Sequence, residues 1–147
     1  MRISTKGRYA LRMLLDLAEH KNEGFISLKA IAERQNISKQ YLEQIVALLN
    51  TSDILRTNRG KHGGYMLAVE PAKCTVGEVL RITEGNLSPV ACLEDKINQC
   101  DRVDACKTLP MWTGLNKVIA DYLNSVTLQD MLTQYRDNGA NSDLIQA

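Results

Sequence analysis

The chain has 147 residues, of which 44% are hydrophobic and 24% charged. That is enough for one domain with a buried core, or a small domain plus an appended segment, and it excludes a pair of catalytic domains, a disordered tail and a collagen-like chain. The net charge of +1 hides an asymmetry: residues 1–64 carry eleven Lys or Arg against six Asp or Glu, a net +5, while residues 65–147 carry seven against eleven, a net −4. A basic first half fits a phosphate-facing surface, and scattered solvated charge is the plainer reading of the same numbers. Apolar runs are broken by charge within a few residues, as Asp16 and Glu19 break the run after Tyr9, and no signal-peptide core follows Arg2, Lys6 and Arg8. The expected compartment is the cytoplasm, with no membrane segment.

In chain order, residues 5–20 place Tyr9, Ala10, Met13, Leu14, Leu17 and Ala18 at helical spacing, with Arg8, Arg12, Asp16 and Glu19 on other faces. Ser27 is an N-cap for LKAIAERQ, Asn36-Ile37 makes a turn, and Ser38 caps KQYLEQIVALLN. In this second helix Leu42, Ile45, Val46 and Leu49 face a core, while Lys39, Gln40, Glu43 and Gln44 look outward. Two short helices joined by a tight turn make a helix-turn-helix whose second helix suits a major groove. Residues 54–58 and 65–69 have strand character around the turn Arg59-Gly60-Lys61-His62-Gly63-Gly64, which predicts a β-hairpin wing with a basic tip. The glycine-rich tip leads into a strand and has no Lys-Ser/Thr ending, which argues against a nucleotide phosphate loop.

Thr75-Val76-Gly77-Glu78 is a capping box opening a helix that stops at Gly85. From Leu109 to Val126 the residues Trp112, Leu115, Val118, Ile119, Tyr122, Leu123 and Val126 form one broad stripe of a long helix, with Pro110 in its first turn. A stripe of that width outside a winged unit predicts a dimer interface through Trp112, Leu115, Ile119 and Tyr122. Thr127 caps one more short helix. The expected organisation is mainly α with a small β-hairpin: a winged helix-turn-helix over 1–85, a cysteine loop over 86–108, a dimerisation helix and a short helix over 109–136, and a flexible tail over 137–147.

Four cysteines are too few and too unevenly placed for a secreted disulfide scaffold. Cys74 lies among apolar residues and reads as a buried structural thiol. Cys92, Cys100 and Cys106 follow a C-x7-C-x5-C spacing in a polar loop with Glu94, Asp95, Asp101 and Asp104. Zinc is disfavoured, because there is no C-x2-C pair and the only histidines are His20 and His62. Three soft thiolates suit an iron–sulfur cluster, and reversible thiol oxidation or a structural loop explains the same spacing. No Ser-His-Asp, Cys-His or paired-carboxylate constellation stands out, so an enzyme is not expected.

Taken together, KGRYA at 6–10, YLEQ at 41–44, the wing Arg59-Gly60 with Gly63-Gly64-Tyr65, and TVGEVLRITEG at 75–85 resemble the Rrf2-type family of bacterial winged-helix transcription regulators. The resemblance runs to about Leu132. The three loop cysteines make the chain similar to the IscR-like branch, which carries an iron–sulfur cluster, while its N-terminal features are shared with the cluster-free CymR-like branch of cysteine metabolism. A nitric-oxide-sensing NsrR-like member is a further alternative, although that branch uses an acidic ligand near the start of the first helix, where this chain has Arg8. The resemblance implies a homodimer on a partly palindromic DNA operator, with Ser38, Gln40, Tyr41, Glu43 and Gln44 at the major groove and Arg59 in the minor groove. The residue types agree, since Gln pairs with adenine, Glu accepts from cytosine and Arg favours a narrow minor groove. It also implies that Cys92, Cys100 and Cys106 hold the cluster, 2Fe-2S in preference to 4Fe-4S, in a redox or iron–sulfur sensor. The IscR-like pattern has a histidine three residues after the last cysteine, and this chain has Leu109 there. The fourth ligand is then a loop carboxylate (Glu94, Asp101 or Asp104), a group from the partner chain, or an exogenous molecule. A cluster-donor or cysteine-biosynthesis protein is the further partner class implied.

Overall fold

The computed structural model describes residues 1–138, with side chains through Gln134. The first helix, α1 (Thr5–Glu19), begins where the Ser4 side chain accepts from the backbone N–H of Lys6 and Gly7. The helix-turn-helix follows as α2 (Leu28–Gln35) and α3 (Lys39–Leu49), capped by Ser27 and Ser38 as the sequence predicts. Asn36 makes the turn between them in the left-handed conformation, φ 51°, which Asn tolerates better than most side chains. The wing is an antiparallel pair, β1 (Leu55–Asn58) and β2 (Gly64–Leu67), in the register Leu55 to Leu67 and Asn58 to Gly64. Then come α4 (Val76–Glu84), α5 (Leu109–Ser125) and α6 (Leu128–Asn138). Of the tail expected over 137–147, residues 137 and 138 belong to α6, and residues 139–147 lie outside the described residues.

Helix α1 is the hub. It packs on α2, α3, α4, α6 and β2, and it buries Met13, Leu14 and Leu17 against Ile31, Leu42, Ile45, Leu49 and Val79. Each such side chain contributes about 1.5–3 kcal/mol of transfer free energy. The apolar stripes of α1, α2 and α3 fall on these inward faces, so the periodicity alone places the core. The last helix also joins it: Leu128 is fully buried, and α6 packs on α1 and on the short 3-10 turn Pro71–Lys73. Two backbone bonds bring it there, from Val76 N–H to Val126 C=O at 2.9 Å and from Leu128 N–H to Cys74 C=O at 2.9 Å. The short C-terminal helix is therefore part of the winged unit's core in space, although a long loop and α5 separate the two in sequence.

Two features depart from the sequence reading. Asp16, expected on an outer face, is only 1% exposed. Arg34 from α2 donates to it from Nε at 3.0 Å and from its terminal nitrogen at 2.6 Å, and Gln35 Nε2 donates at 3.0 Å, so the buried charge is fully met. Burial pushes the Asp16 carboxyl pKa up, but the hydrogen bonds from Arg34 and Gln35, and the charges of Arg34 and His20, outweigh it and hold the carboxyl below its ordinary value. The second departure is a bridge on the far edge of the wing. Ile26 pairs with Tyr65 through two backbone bonds of 2.9 and 2.8 Å. Gly64 lies against this bridge, where a Cβ would stand 2.3 Å from the Ile26 carbonyl oxygen, so this position admits only glycine.

Candidate nucleic-acid interface and cysteine loop

Helix α3 turns Leu42, Ile45, Val46 and Leu49 into the core and leaves Ser38, Lys39, Gln40, Glu43 and Gln44 exposed. Ser38 is committed to capping, since its hydroxyl accepts from Tyr41 N–H at 3.2 Å. Tyr41 is half-buried, its ring edge-on to Tyr9 with centroids 5.5 Å apart, and Tyr9 in turn lies under the Arg12 guanidinium. Arg12 also bonds the carbonyl of Gln35 at the end of α2, so these rings and Arg12 lock the helix-turn-helix to α1. Glu43 is held loosely by Lys39, one turn back at 3.8 Å, and both side chains are more than half exposed. Such a pair is worth only about 0.3–0.5 kcal/mol, so both groups are free to turn toward another partner.

At the wing, Arg59 and Lys61 are exposed on either side of Gly60, whose φ of 121° lies in the region that favours glycine. Between wing and helix-turn-helix runs a cleft of about 470 Å³, lined by residues at the start of α2, at both ends of α3 and in the hairpin. Arg59 lines it; so do Lys29, Lys39, Asn50, Thr57 and Asn58, which are not among the site residues expected from the sequence. Lys39 had a legible signal, its outward position on the recognition helix. Lys29 had none, because only the packing of α2 beside the wing brings it to this cleft.

The cysteines divide. Cys74 is 2% exposed, and burial first, then Glu78, pushes its thiol up to about 11, as suits an inert core group. The loop after α4 is built from short turns and local bonds: the Asn86 side chain donates to Glu94 C=O, Ser88 Oγ to Leu93 C=O, and Asn98 Oδ1 accepts from Cys100 N–H. Cys92 and Cys100 line one cavity with Asp95, Ile97 and Gln99. Cys106 is not part of that cavity and contacts Thr108 Oγ1 at 3.4 Å, where the Thr108 hydroxyl and then its backbone N–H hold the thiol below its ordinary value. Among the described residues no three His, Cys, Asp or Glu side chains are gathered closely enough to hold a metal ion, and Glu94, Asp101 and Asp104 are all exposed. The three unpaired sulfurs have the donor chemistry an iron–sulfur cluster needs, but in this chain they do not converge on one point, so the loop as placed does not fit a cluster.

Helix α5 has no buried residue. Its broad stripe splits in two. Asn116, Ile119 and Ala120 face the end of α4 around Arg81 and Gly85, and Trp112, Leu123 and Val126 are half-buried. Met111, Leu115, Val118 and Tyr122 point outward at 54%, 39%, 64% and 66% exposure, a second apolar line at helical spacing. Of the residues expected at a dimer contact, Leu115 and Tyr122 lie on this open line, while Ile119 and Trp112 do not. Met111 and Val118 complete it. No helix among the described residues is long and apolar enough to cross a membrane.

Comparison with known proteins agrees with this architecture. A family model described as Rrf2, iron-dependent transcriptional regulator, matches residues 3–134. A Neisseria meningitidis serogroup A protein named as an HTH-type transcriptional regulator is 41% identical over 146 residues, covering 99% of this chain and 97% of its own. The HTH-type transcriptional regulator CymR of Bacillus subtilis is 40% identical over 137 residues and 93% of each chain. The solved structure of that protein, described as the global cysteine regulator, superposes with a TM-score of 0.74 at 35% identity, covering 91% of this chain and 98% of that one. The structure of T. potens IscR superposes with a TM-score of 0.68 at 38% identity, covering 91% and 88%.

Proposed function

The chain belongs to the Rrf2 family of transcriptional regulators, and on that premise we propose that it works as a homodimer on a two-fold DNA site, with its cysteine loop as the sensing element. The observation that carries the reading is the exposed polar face of α3 beside a basic wing and cleft, on the half of the chain whose net charge is positive. In this reading Gln40, Glu43 and Gln44 meet base edges in the major groove, Arg59 enters the adjacent minor groove, and Ser38 and Tyr41 set the angle of the helix. Glu43 accepts only from bases that offer a donor, so it selects sequences by penalty as well as by attraction.

The dimer forms through the open line of α5. An antiparallel copy brings Met111 opposite the partner's Tyr122 and Leu115 opposite the partner's Val118, a self-complementary pairing of the kind a two-fold axis requires. Such an arrangement covers the apolar side chains that the winged unit leaves in water.

For the sensor, Cys92, Cys100 and Cys106 are the proposed ligands of an iron–sulfur cluster, 2Fe-2S in preference to 4Fe-4S. Three thiols within one exposed loop, and likeness to IscR, support this. Binding would require the 86–108 loop to rearrange so that Cys106 joins Cys92 and Cys100. A cluster-free, CymR-like regulator is the second reading, favoured by the separation of the three sulfurs and by the likeness to CymR. Anaerobic purification decides between them: a brown protein with stoichiometric iron and sulfide, lost in each of Cys92→Ala, Cys100→Ala and Cys106→Ala but kept in Cys74→Ala, supports the cluster. A colourless, iron-free protein after reconstitution supports the second reading.

A further inference from the structure

The cleft between wing and helix-turn-helix has a lining with a distinct chemical character. Lys29, Lys39 and Arg59 stand on it, Ser27, Asn50, Thr57 and Asn58 add polar groups, and no Asp or Glu is among its lining residues. Three cations lining one cleft without a carboxylate make a positive concavity that draws an anion. Lys29 and Lys39 each pair with an acid one turn along their own helix, Glu33 at 3.9 Å and Glu43 at 3.8 Å. These exposed pairs are too weak to hold either ammonium against a stronger anion, with side-chain exposures of 79% for Lys29 and 63% for Lys39.

The position of the cleft names the anion. In the DNA-binding reading, on which this inference rests, α3 occupies a major groove and the wing an adjacent minor groove. The ridge that separates two adjacent grooves is a phosphodiester backbone, and the cleft lies between the two elements that enter those grooves. We propose that this cleft is the seat of that backbone strand, with Lys29 and Lys39 as phosphate-binding residues that set the register of α3 against the wing. Lys29 acts from α2, an element that reaches no base, so its contribution is independent of sequence, whereas Arg59 contributes to selection as well as to affinity. Asn50 and Thr57 line the same cleft, and Asn50 Oδ1 accepts from Thr57 Oγ1 at 3.2 Å, which ties the end of α3 to β1.

The test uses the full-length protein, duplexes that the wild type enriches from a random pool, and a random-sequence duplex. Lys29→Ala/Lys39→Ala should weaken both duplexes by the same factor, and its advantage over wild type in salt tolerance follows from two lost phosphates: the gap between the two proteins should close by about 12-fold between 50 and 200 mM salt. Arg59→Ala should instead weaken the enriched duplex more than the random one. A scan of single neutral methylphosphonates along the enriched duplex should show a position between the two grooves that weakens the wild type and leaves the double variant unchanged. Both lysines are exposed, and an unchanged circular dichroism melt confirms that the variants fold. If the double variant keeps the wild-type affinity and salt slope while Arg59→Ala loses the enriched duplex, the lysine seat is refuted and the DNA-binding reading stands. If the wild type enriches no duplex, that reading falls and takes the seat with it.

Discussion

Replacing Arg34 by Ala tests whether the buried Asp16 charge holds α1 to the helix-turn-helix. Asp16 is 1% exposed and depends on Arg34 for bonds at 2.6 and 3.0 Å, while the Gln35 bond at 3.0 Å survives the change. Stranding a buried charge costs about 3–5 kcal/mol when nothing replaces its partner. Here Gln35 remains, and the Arg34 side chain is itself 32% exposed, so truncation admits water; the expected loss is therefore about 2–3 kcal/mol. For a chain of this size that lowers Tm by about 5–10 °C, read by circular dichroism at equal protein concentration, because dimerisation shifts Tm with concentration. The pH profile carries the same logic. The Asp16 carboxyl lies below its ordinary value in the folded chain, so its ionised form stabilises the fold above the unfolded carboxyl pKa of ~3.9, and that contribution is lost as pH falls through the lower folded value. In Arg34→Ala the acid transition should move to higher pH. Removing both partners, as Asp16→Leu with Arg34→Met, should recover most of the loss, since no charge is then left unpaired. An Arg34→Ala protein that melts within ~2 °C of wild type and keeps the same acid profile would refute the reasoning.

Four other substitutions probe α5, the recognition helix and the wing. Val118→Asp places a charge on the open line of α5 without touching the core, so sedimentation should show monomers that keep the wild-type circular dichroism spectrum and melt at a temperature independent of protein concentration, and an intact dimer would put the interface elsewhere. Arg59→Ala should cost ~1–3 kcal/mol on an enriched DNA site, and Glu43→Ala should broaden the set of enriched sequences, both measurable by sequencing and anisotropy; no change in either would remove these side chains from the interface. Gly64→Ala forces a Cβ toward the Ile26 carbonyl, so it should destabilise the wing by ~1–3 kcal/mol and raise hydrogen exchange at Tyr65 and Ile26.

The caps, the hairpin and the helical stripes were legible in the sequence because each is set by neighbours within a few residues. Ser27, Ser38 and Thr75 each satisfy donors in the first turn of their own helix, and Gly85 ends α4 as its position predicts. The outward face of α3 and the buried character of Cys74 came from the same local patterns. What the sequence left open depends on partners far away along the chain. Asp16 reads as a surface residue by its polarity, and only the packing of α2 against α1 brings Arg34, eighteen residues later, to neutralise it. The α5 stripe reads as one face, yet the packing of α5 beside α4 half-buries Ile119 and leaves Leu115, Val118 and Tyr122 exposed, because helix packing decides which side of a wide apolar arc is covered. The cysteines show the limit most plainly. Spacing brings three thiols into one loop, but a common metal centre needs their side chains to converge in three dimensions, and the short turns of that loop keep Cys106 apart from Cys92 and Cys100.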